Sequence, residues 1–156
     1  TGYQNLVPAF ETNVNGSSLS LKYKEKYINI RHNNIKVTVY STSANKVSMN
    51  GSGTIRIKQG MKAPSMDASI NGSGQVYIDD NKFEIVKYKV NGSGDIYARP
   101  ATAQTAYVTI SGSGDVELTV TKYLETHISG SGDIRYWGNP ETVNTDISGS
   151  GKVTHN

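Results

Sequence analysis

Hydrophobic and polar residues alternate along most of the chain, and short glycine-rich segments interrupt the alternation at regular intervals. Before these segments, aliphatic residues occupy every second position, as at Val108 and Ile110. The alternation resumes after them, as at Ile96 and Ala98. A period of two is the side-chain spacing on one face of a β-strand. The pattern therefore predicts short strands joined in pairs by tight corners.

The glycine-rich segments themselves form an internal repeat. Six copies of the motif Asn/Ser-Gly-Ser-Gly occur, each followed by one polar residue and one aliphatic residue. They cover residues 50–55, 71–76, 91–96, 111–116, 129–134 and 148–153. Their first glycines (51, 72, 92, 112, 130 and 149) are 21, 20, 20, 18 and 19 residues apart. Residues 15–19 resemble a degenerate seventh copy. A period of about 20 residues is typical of solenoid proteins.

Two architectures can use such a repeat. In a parallel β-helix each repeat is one coil, and equivalent residues stack about 4.8 Å apart. In an antiparallel meander each corner would be a hairpin turn. Stacking explains the two glycines of every corner, because neighbouring corners must nest. It also predicts an inner aliphatic column and an amide-paired outer column. These are Met49, Ile70, Val90, Ile110, Ile128 and Ile147 inside, and Asn50, Asn71 and Asn91 outside. We therefore predict an all-β parallel β-helix with coils of about 18–21 residues.

The length of 156 residues fits a single domain. We predict six regular coils over residues 46–156 and irregular first coils, or a cap, over residues 1–45. Within this first part, strands are expected at residues 10–14, 19–23, 28–30 and 35–39. The chain begins at Thr1 without a methionine or a signal-like apolar stretch. We expect that an export segment has been removed or that the start has been trimmed.

Composition limits the possible functions. The chain contains no cysteine, which excludes disulfides and thiolate chemistry. The net charge is only +3, and the basic residues are mostly spread out, so no nucleic-acid partner is predicted. No apolar run is long enough for membrane insertion. Open coil ends and exposed tyrosines are compatible with a homo-oligomer.

The serial corners resemble those of a known family. Asn91-Gly92-Ser93-Gly94-Asp95-Ile96 and its five counterparts are similar to the GIN-type head domain of auto-transporter adhesins of Bacteroidetes. Residues 10–21 and 35–39 fit the same family, so the resemblance extends from about residue 5 to the end. It implies an exported, surface-associated, right-handed β-helix with a role in adhesion. It implies no catalytic residues.

An acidic column follows the corners. The residue after each Gly-Ser-Gly is, in order, Thr54, Gln75, Asp95, Asp115, Asp133 and Lys152. In a stacked structure the three carboxylates lie about 5 Å apart, and Ca²⁺ prefers several hard oxygen ligands. Asp95, Asp115 and Asp133 are therefore a candidate calcium site, the only cofactor considered. The alternative interpretation is structural, because aspartate after a glycine corner hydrogen-bonds to turn amides.

A second candidate site is an outward stripe of mixed chemistry after the corners. It consists of Arg56, Tyr77, Tyr97, Glu117 and Arg135. Exposed aromatic residues on a flat sheet can stack against sugar rings or form a protein contact. Tyrosine is also simply a favourable strand residue. Elsewhere, His127 is expected on the surface one coil above Asp146, as a simple surface pair.

These observations favour a non-enzymatic bacterial cell-surface adhesin-like domain that binds a glycan or a protein through a repetitive sheet face. One alternative is a carbohydrate-active enzyme similar to β-helical pectate lyases, with the aspartate column as its acids and bases. The other is a structural spacer. The serines of the corners are not expected to be nucleophiles, because a Gly-x-Ser-x-Gly elbow needs a strand–turn–helix context. The return segments are also too short to enclose a deep cleft.

Overall fold

The computed structural model describes residues 10–24 and 36–156. These residues form β-strands and loops. Among them there is no helix that is long and apolar enough to cross a membrane. The chain divides into two compact units, one ending at Tyr40 and the other beginning at Ser41. The assignment of a single domain over residues 1–156 stays a prediction.

The described part of the first unit contains an antiparallel hairpin. Strands β1 (Phe10–Asn15) and β2 (Ser18–Tyr23) pair along their whole length around a turn at Gly16, whose φ is 58°. Glycine adopts this left-handed conformation without a steric penalty. Both predicted strands are confirmed. The degenerate seventh copy is the hairpin turn. Of the two alternatives for this part of the chain, the antiparallel pairing does not fit parallel first coils, and a cap stays a prediction.

Two further strand predictions concerned residues 28–30 and 35–39. Residues 28–30 and Ile35 lie outside the described residues. Residues 36–40 form no strand, so the prediction of a strand there was wrong. Val37 and Val39 alternate as strand residues do, yet they are 42% and 56% exposed. A period-two pattern favours a strand only where one face becomes buried against a partner.

The second unit is a β-solenoid of stacked coils. Its strands are β3 (Lys46–Gly51), β4 (Thr54–Ile57), β5 (Ser65–Gly72), β6 (Gln75–Ile78), β7 (Lys82–Gly92), β8 (Asp95–Gly112), β9 (Val116–Gly130), β10 (Ile134–Trp137), β11 (Thr142–Gly149) and β12 (Val153–His155). Every strand pairing in this unit is parallel. The predicted parallel architecture is confirmed and the meander is excluded.

The corners divide each coil into two strands that belong to two different stacks. The pre-corner stack consists of β3, β5, β7, the second halves of β8 and β9, and β11. The post-corner stack consists of β4, β6, the first residues of β8 and β9, β10 and β12. The six first glycines of the corners are direct register partners from coil to coil. Every repeat position is therefore a column along the solenoid.

The core consists of the inward columns of both stacks. Of the predicted pre-corner column, Ile70, Val90, Ile110 and Ile128 are fully buried and Met49 is 9% exposed. Ile147 is 40% exposed because it belongs to the last coil. The return segments add buried residues that the sequence analysis did not identify, namely Ala63, Met66, Phe83, Val86, Ala101, Ala103, Ala106, Val120 and Leu124.

From the second corner onwards, the two glycines of a corner are needed for different reasons. The first lies in the left-handed region, as Gly92 does with a φ of 119°. A Cβ at Gly92 would also lie 2.5 Å from the carbonyl oxygen of Gly72 in the previous coil. The second, such as Gly94, has no such φ, but its Cβ would lie 2.5 Å from the oxygen of Gly74 and 2.7 Å from Ile70 Cγ2. Nesting of corners is therefore confirmed.

Polar side chains continue the stacking on the outside of the corners. The Asn71 amide donates to Asn50 Oδ1 at 3.0 Å, and the Asn91 amide donates to Asn71 Oδ1 at 2.8 Å. The predicted amide column is confirmed. Backbone bonds follow the same direction, because Ser93 N–H donates to the Gly72 oxygen at 3.0 Å. Hydrogen bonding thus continues from coil to coil around the corner.

Gly92→Ala and Gly51→Ala separate the nesting constraint from the backbone constraint. Both glycines have a left-handed φ at the same corner position, but a Cβ on Gly51 would meet nothing within 4 Å. Both variants carry the backbone penalty, and we expect Gly92→Ala to lose about 1–3 kcal/mol more of the free energy of unfolding. Urea denaturation followed by circular dichroism measures the difference. Equal losses in the two variants would contradict nesting.

Candidate binding surface

The five residues of the predicted stripe form a continuous column on the outward side of the post-corner stack. Register partners connect Arg56 to Tyr77, Tyr77 to Tyr97, Tyr97 to Glu117 and Glu117 to Arg135. Five successive coils therefore contribute one residue each. This set of five residues is called the stripe below.

Neighbouring side chains of the stripe cover one another. The Arg56 guanidinium carbon lies 4.4 Å from the centre of the Tyr77 ring. The Tyr77 and Tyr97 rings are stacked, with centres 5.0 Å apart and planes 22° apart. At the other end, Arg135 Nη1 lies 3.4 Å from Glu117 Oε1. Both faces of Tyr77 are thus occupied within the stripe. A sugar ring that stacked on Tyr77 would have to displace one of these neighbours.

Flanking residues hold the two tyrosine side chains of the stripe in place. The Tyr77 hydroxyl donates to Gln75 Oε1 and the Tyr97 hydroxyl donates to Asp95 Oδ2, both at 3.2 Å. Desolvation and the neighbouring Asp95 carboxylate raise the pKa of Tyr97. The two hydrogen bonds orient both hydroxyl groups, so the stripe presents a fixed pattern of ring edges and charges.

Asp79 anchors the first end of the stripe. Its carboxylate lies 2.9 Å from Arg56 Nη1 and 3.1 Å from Lys58 Nζ. Partial desolvation acts to raise the pKa of Asp79, but hydrogen bonds and positive charge from Lys58 and Arg56 outweigh it. The pKa of Asp79 is therefore below the ordinary value of a carboxyl group. Arg56 is held over Tyr77 by this ion pair.

The acidic column lies beside the stripe and is bonded to the next coil. Asp95 Oδ1 accepts a hydrogen bond from the backbone N–H of Asp115 at 3.1 Å. Asp115 Oδ1 accepts from Asp133 N–H at 2.9 Å, and Asp133 Oδ1 accepts from Lys152 N–H at 3.0 Å. Each carboxylate therefore has one backbone N–H donor from the next coil. The donor partly offsets the repulsion between carboxylates one coil apart.

These carboxylates take the place of a backbone acceptor. In earlier coils the equivalent amides donate to glycine oxygens, as Gln75 N–H does to Gly53 at 2.9 Å and Asp95 N–H does to Gly74 at 3.0 Å. In the following coils, the Oδ1 atom of the aspartate in the previous coil accepts instead, beginning with Asp95. The structural interpretation expected bonds to amides of the same turn, whereas each observed donor is an amide of the next coil.

The calcium site at Asp95, Asp115 and Asp133 stays a prediction. Within residues 10–24 and 36–156, no group of three or more His, Cys, Asp or Glu residues is arranged to hold a metal ion. One oxygen of each of the three carboxylates is already bonded to a backbone N–H. A calcium ion at this column would have to compete with those donors for its oxygen ligands.

A shallow groove on the pre-corner stack was missed by the sequence analysis. It has a volume of about 350 Å³ and is lined by residues 107–109, 125–127 and 144–146. These are the same three repeat positions on three successive coils. The two outer positions are outward columns and the middle position supplies the floor. The signal was present in the sequence as two neighbouring polar columns, but only their stacking defines a groove.

One contact of this groove had been predicted. His127 Nδ1 lies 2.9 Å from Asp146 Oδ2, and both side chains are at least half exposed. His127 and Asp146 are register partners on successive coils. The expected surface pair is confirmed.

The chain is similar to one described protein family and to solved structures. Residues 1–140 match the model of the family described as "Putative auto-transporter adhesin, head GIN domain". A crystal structure of a putative adhesin from Bacteroides fragilis is similar at a TM-score of 0.72 and 21% identity, over 97% of this chain and 78% of that one. A second crystal structure, of a putative adhesin from Parabacteroides distasonis, is similar at a TM-score of 0.61 and 20% identity, over 99% of this chain and 82% of that one. The comparison with curated proteins finds no match. At these identities the two structures support the fold.

Asp115→Ala and Asp115→Asn test the structural role of the acidic column. Alanine leaves the Asp133 N–H without its acceptor, and we expect a loss of about 1–2 kcal/mol in the free energy of unfolding. Asparagine retains an oxygen at the same position, so we expect a change within about 0.5 kcal/mol. Urea denaturation of both variants provides the comparison. The role assigned to Oδ1 is wrong if asparagine is as destabilising as alanine.

Asp79 makes stability depend on pH in a defined direction. Because its folded-state pKa is lowered from 3.8, its contribution is complete above that value and is lost as pH falls through the lower folded-state pKa. We expect the original chain to lose more stability than Asp79→Asn between about pH 5 and pH 2. Melting temperatures across this range measure the effect. Parallel profiles for the two chains would refute it.

Proposed function

The chain belongs to the family of auto-transporter adhesin head GIN domains, and we propose that it is a non-enzymatic, exported cell-surface domain that binds a ligand through the stripe. Family membership supports adhesion and a surface location. The stripe supports the choice of face. Its ligand, in this proposal, is a protein or glycan surface that contacts ring edges and charges.

The observation that carries this proposal is the register of the stripe. Five successive coils present one exposed or half-exposed side chain each at the same repeat position. The pattern combines an aromatic pair at the centre with charged residues at both ends. Aromatic and arginine side chains are enriched at protein interfaces, where they contribute most of the binding energy. The contacts within the stripe fix its rotamers before binding and so reduce the entropy lost on association.

A carbohydrate-active enzyme is less well supported. The aspartate column, which would supply acid and base, is bonded to backbone amides of neighbouring coils. Ring edges and charges on a flat sheet also offer no enclosed space that would exclude water from a reacting bond. A structural spacer remains the alternative in which the stripe binds nothing.

A binding panel tests the proposal. The purified chain is measured against immobilised glycans and matrix proteins, with and without millimolar Ca²⁺. We expect saturable binding without turnover, weakened at least about tenfold by Tyr97→Ala, which corresponds to about 1.4 kcal/mol. Inclusion of Ca²⁺ in the panel, together with the triple variant Asp95, Asp115 and Asp133→Asn, tests the calcium prediction in the same experiment.

Lys46→Ala is the matched control, because Lys46 is exposed on the opposite, pre-corner stack. It should bind as the original chain does. Binding that is insensitive to Tyr97→Ala removes the stripe from the proposal. An absence of binding to every member of the panel favours the spacer.

A further inference from the structure

We propose that the groove on the pre-corner stack binds an extended, uncharged oligosaccharide that lies along the solenoid axis. This inference rests on the proposed function, since it gives the surface domain a second site with a defined class of ligand. It concerns a different face of the coil from the stripe. The two sites can therefore be tested separately.

The shape of the groove follows from the repeat. One wall consists of Tyr107, Glu125 and Asn144, and the other consists of Thr109, His127 and Asp146. Alternate outward residues of a strand are separated by about 7 Å, and successive coils by about 4.8 Å. The groove is therefore a straight channel across three coils. Its volume of about 350 Å³ is at the small end of the range for small-molecule sites.

The first wall offers an aromatic surface and fixed polar groups. Tyr107 is 38% exposed, and its ring lies 6.0 Å from that of Tyr123 at an angle of 54°. Tyr107 is thus tilted away from its neighbour and does not stack on it, in contrast to Tyr77 in the stripe. An exposed tyrosine ring can pack against the apolar face of a sugar ring while its hydroxyl stays in water.

A hydrogen-bond network connects Tyr123 to two residues of this wall. The Tyr123 hydroxyl donates to Glu125 Oε2 at 2.7 Å and accepts from the Asn144 amide at 3.0 Å. The bond to Glu125 raises the pKa of Tyr123, so its phenol stays a donor. The network fixes Glu125 and Asn144 before a ligand arrives. A carboxylate and an amide side by side can accept from and donate to neighbouring sugar hydroxyl groups.

Charge selects among saccharides. Glu125 lies on one wall and Asp146 on the other, and His127 is already paired with Asp146 at 2.9 Å. The lining residues include no lysine or arginine, and the nearest ones along the two columns are Lys87 and Lys89 in the preceding coil. Inside the groove, the two carboxylates disfavour a uronic acid or a sulfated sugar, because like charges repel. A neutral sugar has hydroxyl groups for both walls.

The coil spacing selects a linear glycan. Equivalent side chains recur about every 4.8 Å along the groove, which is close to the length of one sugar unit in an extended β-1,4-linked chain. Successive sugar units can then lie over successive coils, with alternate units of the β-1,4-linked chain turned over. Since the groove spans three coils, three units should fill it.

Nuclear magnetic resonance titration of the complete chain provides the test. The probes are the β-1,4-linked glucose and N-acetylglucosamine oligomers of one to five units, and oligogalacturonates as the charged comparison. We expect saturable shifts of the amides of residues 107–109, 125–127 and 144–146. We expect affinity in at least one neutral series to rise about tenfold or more from one unit to three and then to level off.

Variants assign the binding to the groove. Tyr107→Ala should weaken binding of the trimer at least about tenfold, and Tyr107→Phe, which retains the ring, should weaken it little. Lys46 lies in the same column as Tyr107, but in the first coil. Lys46→Ala should therefore have no effect on oligosaccharide binding. Tyr97→Ala in the stripe should also leave oligosaccharide binding unchanged, so that failure of the stripe and failure of the groove are distinguishable.

Three results would overturn the proposal. The first is no saturable shift with either neutral series at tens of millimolar. The second is a preference for oligogalacturonates. The third is binding outside the groove, seen as shifts that map to the stripe or as binding that persists in Tyr107→Ala when the circular dichroism spectrum shows an unchanged fold.

Discussion

Successive corners of the solenoid approach each other so closely that they fix the register of all its strands. Each coil must hydrogen-bond to the next along its strands and around its bend, and a carbonyl group of one coil lies where a Cβ of the next would be. Only glycine leaves room at both positions. Once corners nest, the strands on either side are forced into one register, and every repeat position becomes a column.

Stacking of identical positions has a cost wherever the repeated side chain is charged or polar. In this chain, contacts along the outer columns offset that cost in several ways. The asparagines pair amide to carbonyl, and each aspartate accepts a backbone amide of the following coil. In the stripe, residue types change from coil to coil, so cation, ring and carboxylate are neighbours in place of like charges. The side chains of each outer column therefore stabilise the stack of coils as well as forming its surface.

The two outward faces differ in what they leave available to a ligand. In the stripe, the tyrosine rings stack on each other and on Arg56, which leaves ring edges exposed. On the pre-corner stack, the Tyr107 ring is inclined at 54° to that of Tyr123 and does not stack on it, and the two columns of the groove leave a channel between them. The same repeat thus produces a closed surface on one side and an open groove on the other. The side chains that occupy successive coils decide which of the two forms.

The relations between coils follow from the repeat in the amino-acid sequence. The spacing of the Gly-Ser-Gly motifs places equivalent residues opposite each other, so the parallel solenoid, the inner column, the asparagine column and the His127–Asp146 pair were predictable. Residues 10–23 were predictable as strands, but not as an antiparallel hairpin. Local alternation does not specify the partner of a strand.

Other features depend on side-chain directions and on the irregular return segments, and these become visible only in the folded chain. The return segments lack the repeat, so the burial of Met66, Phe83 and Leu124 was not evident from the pattern. The bond from Asp95 to the amide of the next coil, and the groove beside Tyr107, depend on rotamers and on the separation of columns. A repeat in sequence specifies which residues meet, whereas packing in three dimensions decides how they touch and what space they leave.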